Sequence, residues 1–285
     1  MVQTAMFAEV PATPATPQLS ASLRGSAKPG DTTGKWDLGM VWRPEICPAT
    51  QGFDYCEDIA AFPPADTEDL VYYRPVGLRV VHMCQTLQAR DIDIDRARRQ
   101  LDAASGSLMA TELWSGAITL ANQFVAPTSS QTENYSFAFG GATIVTAPSG
   151  GFADAAVALG ALDSAVREAM HGSAQAYLHM PSELAQLAPY NFRREGNLLL
   201  TEQDSVVVVD GGYPTTGPNN TETSGSAWIF ATGPVTLRLS PIDVISDPVQ
   251  TINRDTNTRE IWAQRFGAAT FDPCTLFAVE VQLPA

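Results

Sequence analysis

The chain has 285 residues, of which 45% are hydrophobic, and it carries 31 Asp+Glu against 17 Lys+Arg for a net charge of -14. That apolar share supports a sizeable core in one large domain or two smaller ones, while the acidity excludes nucleic-acid binding over a broad surface, because neutralising phosphates needs clustered Lys and Arg and the only lysines are Lys28 and Lys35. No run of about 18 apolar residues exists to cross a membrane as a helix, and Met1–Pro17 lacks the early basic residue and the apolar block before a small-residue cleavage site that mark a secretory signal.

In chain order, Met1–Gly34 is rich in Ala, Pro, Thr and Ser and shows neither a helical nor a strand period. Such a composition buries too little apolar surface to fold alone. It reads either as an unstructured tail or as an arm that orders only by lying across a neighbouring subunit. Trp36, Met40, Val41 and Trp42 then mark where anchoring begins, since large aromatic residues anchor protein contacts. Cys47–Leu70 is irregular and acidic, and Pro44, Pro48, Pro63 and Pro64 keep it out of a central strand. A loop of that length is functional or disordered. Val71–Tyr73 and Leu78–Cys84 read as strands.

Asp91–Gly116 is the clearest helix. Asp91 or Asp93 caps it; Ile94, Ala97, Leu101, Ala104 and Leu108 recur three and four apart. Ile94 to Trp114 spans about 30 Å. Gly106 weakens its centre by about 1 kcal/mol and marks a bend, and Gly116 ends it. Phe152–His171 is a second helix with a broad apolar face formed by Phe152, Ala155, Ala156, Leu159, Leu162, Val166, Ala169 and Met170, stopped by Gly172. Ala176–Met180 reads as a buried strand, and Pro181 opens a short helix through Leu187. The remainder is mainly β: Leu198–Thr201, Val206–Asp210, Ala227–Ala231, Val235–Leu239, Arg259–Phe266 and Ala278–Leu283, with a polar loop over Gly211–Gly225. Helices and strands segregate, so the class is α+β.

Chemistry is sparse. The chain has no G-x-S-x-G, no phosphate loop and no H-E-x-x-H. Gly150-Gly151 precedes a helix, a weak anion signal without a dinucleotide fingerprint. His179 reads as a satisfied core histidine, and His82, alternating with Val81 and Met83, as a strand residue facing solvent; His171 is isolated. Asp91, Asp93 and Asp95 invite a calcium reading, but Arg96 stands where the loop needs glycine and no Glu stands at its twelfth position, so capping and the helix dipole explain them better. Asp243, Asp247 and Asp255 lie in loops without an obvious partner. Cys47, Cys56, Cys84 and Cys274 form no C-x-x-C and no zinc spacing; they read as free, mostly buried thiols, with Cys47 and Cys56 close enough in sequence to bridge. No catalytic, cofactor-binding or metal residues are expected.

Several segments carry a resemblance. Tyr72-Tyr73-Arg74-Pro75-Val76-Gly77-Leu78-Arg79-Val80 leads through Ala89-Arg90-Asp91-Ile92-Asp93 into a helix ending in Glu112-Leu113-Trp114-Ser115-Gly116. Ala174-Gln175-Ala176-Tyr177-Leu178-His179-Met180-Pro181 with Leu184, Val206-Val207-Val208-Val209-Asp210-Gly211-Gly212-Tyr213, and Ala227-Trp228-Ile229-Phe230-Ala231-Thr232-Gly233-Pro234-Val235 follow in order. From about residue 40 onward this order resembles the Hong Kong 97-like fold of tailed-bacteriophage major capsid proteins, of the actinobacterial-phage type, and of encapsulin shells. The resemblance implies an N-terminal arm (1–46), an extended loop (47–76), a peripheral domain (77–172) with a spine helix at 93–115, an axial domain (173–245) and a return to the peripheral domain (246–285).

By that resemblance the protein is not an enzyme but self-assembles into the pentamers and hexamers of an icosahedral shell enclosing a phage genome. It needs no cofactor, has no membrane partner and holds double-stranded DNA without sequence-specific binding. Its acidity serves solubility, or an acidic wall that lets packaged DNA slide. Portal, scaffold or decoration proteins are further partners; no long helical segment precedes the arm, so a scaffold would be a separate protein. The expected location is the virion capsid, after synthesis in the bacterial host cytoplasm. Cys47–Tyr73 contains no Lys, so the covalent Lys–Asn crosslink of some family members is not expected. Candidate contacts between subunits are Trp36, Trp42, Phe53, Tyr55 and Phe62. The alternatives are an encapsulin-type nanocompartment, a head-completion or tail structural protein, and a monomeric α+β enzyme.

Overall fold

The structure is a computed structural model that describes residues 21–31, 40–42, 71–73, 75–84, 91–118, 139–146, 152, 154–172, 174–187, 192–196, 198–222, 224–245, 252–253 and 258–283. Its elements run α1 (Leu23–Ser26), β1 (Lys28–Pro29), β2 (Met40–Trp42), β3 (Val71–Tyr73), β4 (Val76–Cys84), α2 (Asp91–Ser115), β5 (Thr143–Ile144), α3 (Ala155–Ala169), β6 (Tyr177–Pro181), α4 (Ser182–Leu187), β7 (Phe192–Glu195), β8 (Leu198–Thr201), β9 (Val206–Asp210), β10 (Ser226–Thr232), β11 (Thr236–Leu239), β12 (Asp243–Ile245), β13 (Ile252–Asn253), β14 (Thr258–Thr270) and β15 (Phe277–Gln282). The α+β class stands.

Two sheets carry the fold. The first is organised by β14, which pairs antiparallel with β4 along Arg259–Gly267 and with β11, β12 and β13; β1 joins β11 in parallel. The second has the order β5-β15-β10-β6-β9-β8-β7. β11 and β12 pair with β14, whereas the late strand β15 lies in the second sheet.

The second sheet explains the uninterrupted Val206–Val209 run. A strand covered on both faces has no solvent side to encode. Val206 and Val208 face a core shared with Trp114, Phe139, Tyr177 and Phe230, while Val207 faces a second core with Leu159, Leu162, Val166 and Ile229 under α3.

α2 occupies the expected span, and Gly116 adopts φ 62 just beyond it, the left-handed conformation a terminating glycine supplies. Its buried stripe differs from the expected one. Ala97, Leu101, Ser105, Met109 and Leu113 are buried, whereas Ala104 and Leu108 sit at the margin. Ser105 is tolerated there because its hydroxyl donates to the Leu101 carbonyl at 2.6 Å. Gly106 is buried in the same stripe.

α3 starts later than Phe152. Asp154 caps it by accepting from the Ala156 N–H at 2.8 Å. Phe152 instead bridges to β15: its carbonyl accepts from the Gln282 N–H at 2.9 Å. The helix ends with His171 and Gly172 at φ 50 and 67.

Residues 21–31 correct the reading of an arm without local structure. They form a Ser22-capped helical turn and strand β1 on their own subunit, and Leu23 is fully buried. Tertiary contacts override a composition that by itself would not fold. The expectation of free thiols is corrected at Cys274, which is disulfide-bonded; Cys47 and Cys56 lie outside the described residues.

Candidate assembly surface

The longest strand pair presents two unlike faces. Alternate residues of a strand point to opposite sides. On the β4–β14 ribbon Leu78, Ile261 and Ala263 turn inward, into the core that contains Ala97 and Leu101 of α2. The register places Gly77 beside Phe266, Arg79 beside Gln264, Val81 beside Trp262 and Met83 beside Glu260 on the outer side. There Met83 is 66% exposed, Val81 48% and Phe266 44%. Large apolar side chains gathered on one exposed face mark an interaction surface more than singly scattered ones do.

The polar groups among them are ordered. Arg79 lies over the Trp262 ring, its Cζ 5.0 Å from the centroid, and its guanidinium donates to Gln264 Oε1 at 3.3 Å. The Trp262 indole donates to Glu260 Oε2 at 2.9 Å. The face therefore offers apolar area flanked by the exposed Arg79 guanidinium and the half-buried Glu260 carboxylate.

This arrangement reverses the reading of His82. Val81 and Met83 face solvent, while the His82 side chain lies on the inner side with its Nε2 3.8 Å from Asp93 of α2. Asp95 pairs with Arg98 at 3.2 Å. The aspartate run thus serves local contacts, and among the described residues no group of three or more His, Cys, Asp or Glu is placed to hold a metal.

His179 is the satisfied core histidine. It is fully buried between the Tyr213 hydroxyl, 2.8 Å from Nδ1, and the Thr232 hydroxyl, 3.0 Å from Nε2. The Thr232 hydroxyl donates its one proton to the Gly233 carbonyl at 2.7 Å, so it accepts from Nε2–H, and Nδ1 accepts from Tyr213. Burial lowers the His179 pKa to about 3 and raises that of Tyr213, with the Asp210 carboxylate raising the latter further. A fully buried imidazole bonded at both ring nitrogens ties β6 to β10 and to the loop that carries Tyr213. The groove between α2 and residues 211–222, about 530 Å³, is lined by Ser107, Thr111, Ser115, Asn220 and Glu222 and contains neither histidine nor cysteine. Gly150-Gly151 lies outside the described residues.

Of the expected contact residues, Trp36, Phe53, Tyr55 and Phe62 lie outside the described residues. Trp42 is placed on β2, its backbone paired with Val71 of β3. Val81, Met83 and Phe266 were not anticipated. A strand with apolar residues at both parities, Leu78 and Val80 at one and Val81 and Met83 at the other, was the available signal, because it does not encode a solvent face.

No protein-family model matches the sequence, and no curated protein matches it. Solved structures do. The subunit in the capsid of an empty GTA particle superposes with a TM-score of 0.54 at 15% identity, covering 93% of this chain and 90% of that one. The subunit in the capsid of a native GTA particle gives 0.53 at 16% identity, covering 93% and 91%. The chain has the Hong Kong 97-like capsid fold. The likeness runs nearly end to end in both directions, so the capsid fold covers both sheets and α2.

Proposed function

We propose that this protein is a major capsid protein of a tailed bacteriophage, a structural and non-enzymatic subunit that assembles with copies of itself into an icosahedral shell around double-stranded DNA. The observation that carries this reading is the near-complete two-way match to shell subunits, a likeness a separate enzyme domain would have no reason to show along its whole length. In this reading the seven-stranded sheet with α3 is the axial unit, and the sheet around β14 with α2 is the peripheral unit. The place of action is the virion, after synthesis in the host cytoplasm; portal, scaffold and decoration proteins are the further partners.

Two features support assembly by exchange between copies. β2 and β3 pair antiparallel, so residues 43–70 leave and return at one place. Each half of that segment, fourteen residues, spans at most about 50 Å when fully extended, enough to reach an adjacent subunit. Residues 47–70 carry six acidic residues (Asp54, Glu57, Asp58, Asp66, Glu68, Asp69) and no basic one, together with Phe53, Tyr55 and Phe62. A neighbour's outer ribbon face offers Val81, Met83 and Phe266 to the aromatic residues and Arg79 to the acidic ones, with Glu260 already engaged by the Trp262 indole. Covering one large apolar side chain contributes about 1.5–3 kcal/mol.

Met83→Asp combined with Phe266→Asp is expected to leave the circular dichroism spectrum and the melting temperature of the soluble subunit essentially unchanged, because both side chains are exposed, while lowering the yield of closed shells at least tenfold. Shells at parental yield would remove this face from the assembly contact.

A further inference from the structure

The segment Ala21–Gly30 is bonded to three separate parts of its own subunit. Toward the seven-stranded sheet, the Val209 N–H donates to the Ala21 carbonyl at 2.7 Å, and the Leu23 N–H donates to Asp210 Oδ2 at 3.0 Å in a buried site. The other oxygen of that carboxylate accepts from the Gly212 N–H at 2.9 Å, so Asp210 holds the segment and its own strand end together. The Tyr177 hydroxyl of β6 donates to the Ser26 carbonyl at 3.3 Å.

Toward the spine helix, Arg24 donates to the Asp102 carbonyl at 2.8 Å and to its carboxylate at 3.0 Å. Arg265 of β14 donates to the same oxygen at 3.1 Å. One carboxylate thus joins the segment, α2 and the first sheet. Toward that sheet, the Lys28 and Gly30 N–H groups donate to the Val235 and Leu237 carbonyls, each at 2.8 Å, and Lys28 stands opposite Thr236. A Cβ on Gly30 would lie 2.4 Å from Arg238 Cγ, so the close seat excludes a side chain. Leu23, at the centre, is fully buried among residues of both sheets.

We infer that residues 21–30 are an intramolecular clip, which fixes the two sheets and the spine helix in one mutual position and stays on its own subunit in the shell. Whatever passes between neighbouring copies is then confined to residues before 21 and to the excursion after 31. This rests on the capsid reading for its consequence in assembly; the clip itself is a property of one chain. A segment bonded at both ends to different sheets resists being lent to a neighbour, because leaving costs the buried Leu23, the charge-assisted bonds of Asp210 and Asp102 and two strand bonds together. It also carries a device for coupling: a change in the angle between the sheets must strain or release the segment.

The test is the full-length chain with Lys28→Cys and Thr236→Cys, oxidised both as soluble subunit and after assembly and compared without reductant against the parent with its own four cysteines. The clip predicts a new link within one chain, seen as a single-chain band of altered mobility in both samples. A ladder of multimers dependent on the new pair, or no new link, would overturn it. A second variant, Asp210→Asn, faces one of the two backbone donors with an NH₂ group. It is expected to speed hydrogen exchange at one of the two amides, Leu23 or Gly212, at least about tenfold; unchanged rates at both would remove Asp210 as the receptor. Electron microscopy of the same oxidised sample reports on shell formation separately, so failure of the capsid reading and failure of the clip are read from different signals.

Discussion

Trp114→Ala is expected to destabilise the subunit by about 3–5 kcal/mol, the range for truncating a large buried aromatic residue. Trp114 is 2% exposed at the end of α2. Its ring meets Phe230 edge-on at 4.5 Å, Tyr213 at 4.9 Å and Phe139 at 5.9 Å between centroids. These residues come from the helix, the second sheet and two loops, so the cavity left by alanine is lined by elements that pack against it from different directions and cannot all collapse together. The indole also donates to the Thr216 carbonyl at 2.8 Å, a bond that alanine forfeits. Guanidinium unfolding of the soluble subunit measures the loss, and a loss below about 1 kcal/mol would contradict this account of the core.

Acid should destabilise the protein through His179. Its folded pKa, about 3, lies below the unfolded value of 6.5 because the buried site disfavours the charged ring. Above pH 6.5 the ring is neutral in both states and the full stability is present. As the pH falls from 6.5 toward about 3 the unfolded chain takes up a proton that the folded one refuses, so stability drops by about 1.4 kcal/mol per unit. Across the whole window the loss is on the order of 5 kcal/mol. Protonation also places a hydrogen on Nδ1 against the Tyr213 hydroxyl, reversing the bond that orders the site. Unfolding midpoints measured from pH 7 to 4 for the parent and for His179→Gln separate this term from the carboxylates. The variant is expected to be less stable at pH 7 but to show a shallower acid slope by about one proton. Equal slopes would mean that His179 does not titrate in this way.

Much of the scaffold was legible in the sequence. Asp91 and Gly116 bracket α2, and Val206–Asp210 reads as the strand it forms. Pro181 and Gly172 set the limits of the elements around β6. What stayed hidden depends on tertiary contacts that leave no local pattern. α1 and β1 lie in an Ala/Pro/Ser/Thr stretch and exist because Asp210, Asp102 and β11 receive them. β7 reads Phe-Arg-Arg-Glu, polar enough to pass for loop, and is a strand through its pairing with β8. β14 continues through Gly267-Ala-Ala-Thr because Ala268 and Ala269 are fully buried opposite β11, where small residues fit.

The assembly face was hidden for a different reason. Exposure of an apolar residue is a fact about what else the subunit lacks, and alternation alone placed His82 outside and its neighbours inside. The Ser105 position shows the same limit on a helix, where a hydroxyl bonded to its own backbone replaces an apolar residue in the buried stripe. The five aromatic residues that the sequence offers for contacts all lie in 1–70, whereas the described surface that fits a partner lies on β4 and β14.

Negative-stain electron microscopy of the purified protein, paired with size-exclusion chromatography, puts the capsid reading to its most direct trial. Closed particles of uniform diameter, eluting far ahead of a single chain, are the predicted result. A species at the mass of one chain that never forms particles at any concentration, with Met83→Asp/Phe266→Asp indistinguishable from it, would contradict the reading.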